Sequence, residues 1–158
     1  MKNKMFWITC LASLLSCFTG HAQTLLGKSK EQILSFSSQR NGQIRGIDTM
    51  GKGSCEIDIA FPKVTTTSGG MYFSTYYLKG NVCVKSEELI AGQKYIDLLC
   101  NKFDKDSGYK RVGNEFVWIN KKKKQKILVQ YHYRNGALTD RASLISMRLN
   151  AGVTDDSL

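Results

Sequence analysis

The chain has 158 residues, 23 basic side chains against 13 acidic ones for a formal charge of +10, one proline, two histidines and five cysteines. That length bounds it to one ordinary domain, and no low-complexity linker divides it. Five cysteines without a Cys-x-x-Cys pair, and two histidines far apart, argue against a disulfide scaffold or a zinc cluster.

Lys2 and Lys4 precede an apolar stretch from Met5 to Phe18, and Gly20-His21-Ala22 offers small residues ahead of a cut before Gln23. This is the three-part pattern of a secretory signal. The apolar stretch is about 14 residues, too short to cross roughly 30 Å of hydrocarbon as a helix. Residues 1–22 are therefore read as a cleaved leader. Residues 23–158 then form one exported domain, periplasmic or secreted, with no transmembrane span. Leu14-Leu15-Ser16-Cys17 is a competing lipobox that would lipidate Cys17, but a large Leu just before Ser16 matches it poorly.

Cleavage leaves 136 residues with net charge +8, one histidine (His132) and three cysteines, Cys55, Cys83 and Cys100. Cys55 with Cys83 is the candidate disulfide, since both fall in predicted strands. The preferred reading keeps all three as small buried apolar side chains.

In chain order, Ser29 is placed to cap a helix with Gln32 as its capping-box partner. Ile33, Leu34 and Phe36 give that helix an apolar side, and Arg40-Asn41-Gly42 ends it. Ile44 to Met50 is ambiguous. Cys55, Ile57, Ile59 and Phe61 alternate with Glu56, Asp58 and Ala60, as a strand with one buried and one wet face requires. Thr65 to Gly70 reads as a loop, Met71 to Leu78 as an aromatic-rich strand, and Val82-Cys83-Val84 as a short one. Ser86-Glu87-Glu88 has the cap and first-turn acids of a helix start. Leu89, Gly92, Ile96, Leu99 and Phe103 continue it as an apolar stripe. Asn114 to Asn120 and Gln125 to Tyr133 are strands joined through four lysines. Asn135-Gly136 turns the chain into a last strand, about Ala142 to Leu149, and a polar tail follows from about 151.

The expected fold is α+β: an antiparallel sheet with two helices packed on one face, in the order α-βββ(β)-α-βββ. Leu25 to Ile33 (LLGKSKEQI), Val82-Cys83-Val84 and Phe116-Val117-Trp118 resemble segments of small exported Bacteroidetes proteins of unknown function. The element order is similar to the repeating unit of β-lactamase-inhibitor-like and outer-membrane-assembly lipoprotein domains. That similarity of topology implies protein binding and names no site residue.

The residue types that carry chemistry do not assemble into a motif. His132, the one base left after cleavage, sits mid-strand between Tyr131 and Tyr133, on the face opposite Ile127 and Val129, with no nucleophile or orienting group beside it in sequence. Asp104, Asp106 and Glu115 mimic three calcium-loop positions, but Tyr109 stands where that loop requires glycine. Gly51-Lys52-Gly53-Ser54 leads into a strand and so lacks the helix end of a phosphate loop. Glu56 with Asp58, and Glu87 with Glu88, demand no catalytic explanation. No enzyme activity, metal or cofactor is expected.

Charge is distributed unevenly: residues 101–148 hold 12 basic and 4 acidic side chains. Lys121, Lys122, Lys123 and Lys124, with Lys126, are the candidate anion-binding group at a hairpin tip. They could engage a membrane surface or polyanion, or simply keep the tip soluble. Lysines without arginine make base-specific nucleic-acid reading unfavourable. The leading expectation is a non-enzymatic domain that binds another cell-envelope protein. The alternative is an electrostatic binder of an anionic surface or polymer through Lys121–Lys124.

Overall fold

A computed structural model describes residues 25–51, 53–62 and 71–149. The leader, the lipobox, the Thr65–Gly70 loop and the tail from about 151 lie outside them. Ten elements follow in order: α1 (Lys30–Gln39), β1 (Gln43–Met50), β2 (Ser54–Pro62), β3 (Met71–Lys79), β4 (Val82–Ala91), α2 (Gln93–Lys105), β5 (Lys110–Arg111), β6 (Val117–Asn120), β7 (Gln125–Arg134) and β8 (Ala137–Arg148). The strands form one antiparallel sheet in the order β1-β2-β3-β4-β8-β7-β6-β5. The chain is thus α+β, with a helix followed by a four-strand meander, twice. The two meanders meet through their last strands, β4 and β8. The sheet is larger than expected and dominates the fold.

Local chemistry explains the first helix. Ser29 Oγ accepts from Gln32 N at 3.3 Å, and Gln32 Oε1 accepts from Ser29 N at 3.0 Å, the reciprocal capping box. Asn81, in the β3–β4 turn, accepts from Lys30 N and donates to Glu31 Oε2, which ties the helix start to the sheet. The hydroxyl of Ser29 also donates to Glu31. These two side-chain hydrogen bonds hold the Glu31 carboxyl at about 2, below its ordinary 4.5. A depressed carboxylate pKa contributes stability above 4.5 that is lost as pH falls toward 2. Glu31→Gln is therefore expected to be less stable than wild type above pH 4.5, the two converging as pH falls toward 2. Thermal melts followed by circular dichroism check this, and a gap independent of pH would contradict it.

Two apolar clusters fill the molecule. Ile33 of α1 packs with Leu25, Ile57, Ile59, Phe61, Tyr76, Leu78 and Cys83. Ile96, Leu99, Cys100 and Phe103 of α2 pack with Ile90, Tyr109, Trp118, Ile127, Val129, Ala142 and Leu144. The alternation expected for β2 holds for Ile57, Ile59 and Phe61, with Ala60 buried as well.

Several boundaries differ from expectation. Ser86, Glu87 and Glu88 do not start a helix. They lie in β4, which runs to Ala91 because β8 pairs with it from Lys85↔Met147 to Ala91↔Arg141. Helix α2 begins after Gly92 (φ 95°), with no side-chain cap. Leu89 is consequently an exposed strand residue, whereas Ile96, Leu99 and Phe103 are buried as expected. Tyr76, in the aromatic-rich strand, is fully buried. The ambiguous Ile44–Met50 is the edge strand β1, with a bulge between Ile44 and Gly46.

The candidate Cys55–Cys83 bridge does not form, and all three described cysteines are free. Cys55 pairs with Leu78, and Leu78 with Cys83. The two cysteines are therefore two strand spacings apart, roughly 10 Å, beyond the reach of a disulfide. Burial pushes the Cys83 and Cys100 thiols up to about 11, which holds them protonated and unreactive.

Candidate functional site

The lysine turn between β6 and β7 is built by local hydrogen bonds from backbone amides. Asn120 Oδ1 accepts from Lys123 N at 2.9 Å, and Lys121 O accepts from Lys124 N at 3.2 Å. Lys124 takes a left-handed conformation (φ 49°), and its carbonyl accepts from Leu149 N at 2.8 Å. Lys123 Nζ lies 5.7 Å from the centre of the Tyr109 ring, whose hydroxyl donates to Gln125 at 2.7 Å. Burial, and after it the charge of Lys123, holds the nearby Lys102 ammonium below its ordinary pKa, while Asp106 opposes the shift.

The N-terminal loop closes against this turn. Gly27 N donates to Cys83 O, and Cys83 N donates to Lys28 O. Gly27 (φ 83°) leaves space for Arg148, whose guanidinium would lie 3.7 Å from a Cβ placed there. A cleft of about 280 Å³ results, lined by Leu26, Gly27, Lys123, Lys124, Gln125 and Arg148.

The five candidate lysines therefore separate. Lys123 and Lys124 line the cleft, Lys121 and Lys122 are exposed at the turn, and Lys126 is buried within the sheet. Lys126 points to the side of β7 opposite Gln125, so it cannot join them. Arg148 was missed because only the register Gln125↔Arg148 brings it to the turn.

A second polar group lies in the middle of the sheet. Tyr76, Ser86, Ser146 and Ile127 are successive partners across four strands, as are Ser74, Glu88, Leu144 and Val129. Partners across an antiparallel ladder share a side, so these serines, Tyr76 and Glu88 form a buried polar seam between the two apolar clusters. The Tyr76 hydroxyl faces Ser74 within the seam, and the Ser146 hydroxyl has no hydrogen-bond partner among the described residues. Burial, reinforced by Glu88, pushes the phenols of Tyr72 and Tyr95 up.

The remaining candidates are engaged in structure. Nε2 of His132 lies 2.9 Å from Ser143 Oγ, but Ser143 is buried, which denies it the access a nucleophile needs. Asp104 accepts from Trp118 Nε1 and Arg111, and Asp106 from Gly108 N. Neither is directed at a common point, and no cluster of three metal-ligating side chains exists among the described residues. Glu56 and Asp58 share the side of β2 away from Ile57, where Thr75 donates to Asp58 at 2.6 Å. Burial, then the charges of Asp58 and Asp48, raises the Glu56 carboxyl. Among the described residues no helix is long and apolar enough to cross a membrane. No family model matches the chain, and no curated protein or solved structure matches it significantly.

Proposed function

We propose that the chain is an exported, non-enzymatic binding domain whose two helices share one side of the sheet and whose other side docks a protein of the cell envelope. The observation that carries this reading is the surface opposite Tyr76. Phe73 is 47 % exposed and Leu89 36 %, with half-buried Tyr77, Leu128 and Met147 on the same side. Aromatic and methionine side chains surrounded by charge are what a protein interface uses at its centre. Glu56, Asp58 and Glu87 border this surface. Burial and the charges of Asp58, Asp48 and Glu87 raise the Glu56 carboxyl while Lys85 opposes them, an arrangement that favours a partner bringing positive charge. Each helix is followed by four strands, where the resemblance to β-lactamase-inhibitor-like domains implied three. The burial of Ser143 and the structural use of Asp104 support the non-enzymatic reading.

The test is capture from native cell envelope by the tagged protein, by a Phe73→Asp/Leu89→Asp version and by a Lys121–Lys124→Glu version. A protein held through moderate salt by wild type and the glutamate version, but lost from the aspartate version, is the expected result. Retention by the aspartate version would overturn the docking surface.

The second reading, binding to an anionic surface or polymer through Lys121–Lys124, is favoured by one observation. Lys123 and Lys124 are held beside Arg148 at a cleft. It predicts capture that needs the lysines and collapses with salt.

A further inference from the structure

We propose that the cleft between the N-terminal loop and the β6–β7 turn is a binding site for a single phosphate monoester group, separate from the protein-docking surface. Three exposed cationic side chains, Lys123, Lys124 and Arg148, line it together. Among the described residues, the ion pairs are Lys85 with Glu87 and Arg111 with Asp104. None involves Lys123, Lys124 or Arg148, so no described carboxylate neutralises this wall. Mobile lysines at a hairpin tip would separate and hydrate. Here the backbone beneath each cation is pinned.

Lys124 is held by Lys121 O and Leu149 N. Arg148 is fixed by pairing with Gln125, and the loop carrying Gly27 is fastened to Cys83 by two hydrogen bonds, of 2.8 and 2.9 Å. The pinned backbone confines the three side chains to one wall, which lowers the ordering cost on binding relative to a patch on a mobile loop.

The composition of the wall selects the ligand. A guanidinium presents a planar fork that grips two oxygens of one group, and two ammoniums add point charges. A doubly charged tetrahedral head satisfies all three, whereas a carboxylate offers two oxygens and one charge. Leu26 supplies an apolar wall suited to the carbon of an ester. At about 280 Å³ the cleft takes a phosphate group and a few waters, each about 30 Å³. Gly27 is favoured by its φ of 83°, a conformation that other residues adopt at a cost, while a Cβ there would make only ordinary contact with the guanidinium.

The same head occurs free, on small metabolites, and on phosphorylated lipids. The experiment therefore has two arms. Calorimetric titration of the purified protein uses inorganic phosphate, glycerol phosphate, sulfate and acetate. Co-sedimentation uses phosphatidylcholine vesicles doped with phosphatidic acid, a monoester, or with phosphatidylglycerol, a diester.

The expected result is saturable one-to-one binding of the monoester, stronger than of acetate. Arg148→Gln and Lys124→Asn should weaken it about tenfold each, the scale of one charge-assisted contact. Asparagine tolerates the left-handed backbone at 124, so that variant removes charge without strain. Lys122→Gln, outside the cleft, should leave the affinity unchanged. Binding of soluble phosphate would identify a soluble ligand, and binding of phosphatidic acid alone would identify a lipid head. Absence of saturable binding in both arms would overturn the site. So would equal weakening by Lys122→Gln and Arg148→Gln, which is the mark of diffuse electrostatics.

Discussion

Trp118→Ala is expected to lower the free energy of unfolding by about 3–5 kcal/mol, the range for removing a large buried aromatic side chain. Trp118 is 0 % exposed and sits where β6 meets α2, 5.4 Å from the Phe103 ring and 6.4 Å from the Phe116 ring. Its indole N–H donates to Asp104 Oδ1 at 2.7 Å, and the guanidinium of Arg111 lies 5.4 Å from its ring. Truncation would leave a cavity lined by Phe103 and Ile127 and would free the loop after α2 from its anchor. Trp118→Phe separates the two contributions. It keeps an apolar ring but gives up the donor to Asp104, and Asp104, being partly exposed, can turn to water. Its loss should fall well below that of alanine, about 1–2 kcal/mol. Urea unfolding followed by circular dichroism measures both. Equal losses for Phe and Ala would mean that the hydrogen bond, and not the packing, holds this corner.

Gly42→Ala is the second large effect. A Cβ at Gly42 would come within 2.5 Å of Ser37 Oγ, 2.8 Å of Phe61 Cε1 and 3.0 Å of Ile59 Cγ2. All three neighbours are buried. The backbone cannot retreat, because Gly42 N donates to Ser37 O at 2.8 Å. Overpacking of this kind costs about 1–3 kcal/mol, and the upper end is expected because two of the three contacts are with rigid core side chains. Gly51→Ala, which meets nothing within 4 Å, serves as the control and should change stability by no more than about 0.5 kcal/mol. Ser37→Ala removes the nearest clash and also a buried hydroxyl without a hydrogen-bond partner, so alone it should be neutral or stabilising. In the Gly42→Ala background it should recover part of the loss, a coupling that a double-mutant cycle reads directly. Additive effects would show that Phe61 and Ile59 are the real obstacles.

What the sequence revealed and what it concealed divide along the range of the interactions responsible. The capping box at Ser29 and Gln32 and the alternation of Ile57, Ile59 and Phe61 are decided within a few residues, and both were legible. Ser86-Glu87-Glu88 carries equally local signals for a helix start, but the ladder with Arg141–Met147 overrides them and draws the segment into β4. The same distant pairing places Ser86 opposite Ser146, so the polar seam had no local signature. At the cleft, the lysine run was plain from composition. Its division into Lys123 and Lys124 at the wall and Lys126 in the sheet follows from where the turn ends and β7 begins, which the lysine run itself does not mark. Arg148 lies 23 residues after Gln125 in the chain, and only the register of β7 with β8 makes them neighbours. Cys55 and Cys83 failed as a pair for a related reason: each was correctly assigned to a strand, but the strand between them was not counted.

The meeting of the two meanders through β4 and β8 also decides where one molecule could adhere to another. It leaves β5 and β1 at the ends of the sheet, and these ends are unequal. Two residues at β5 offer too short a row of free amides and carbonyls to template a neighbouring chain. Eight residues at β1 offer a long one, with Ile44, Ile47 and Met50 exposed along it. The bulge at Arg45 breaks its flatness, and Arg45 and Asp48 place charge on it, the usual protections of an open edge. Any tendency of this protein to self-associate by strand pairing is therefore concentrated at one end of the sheet, and it is held in check there by a single bulge and two charges.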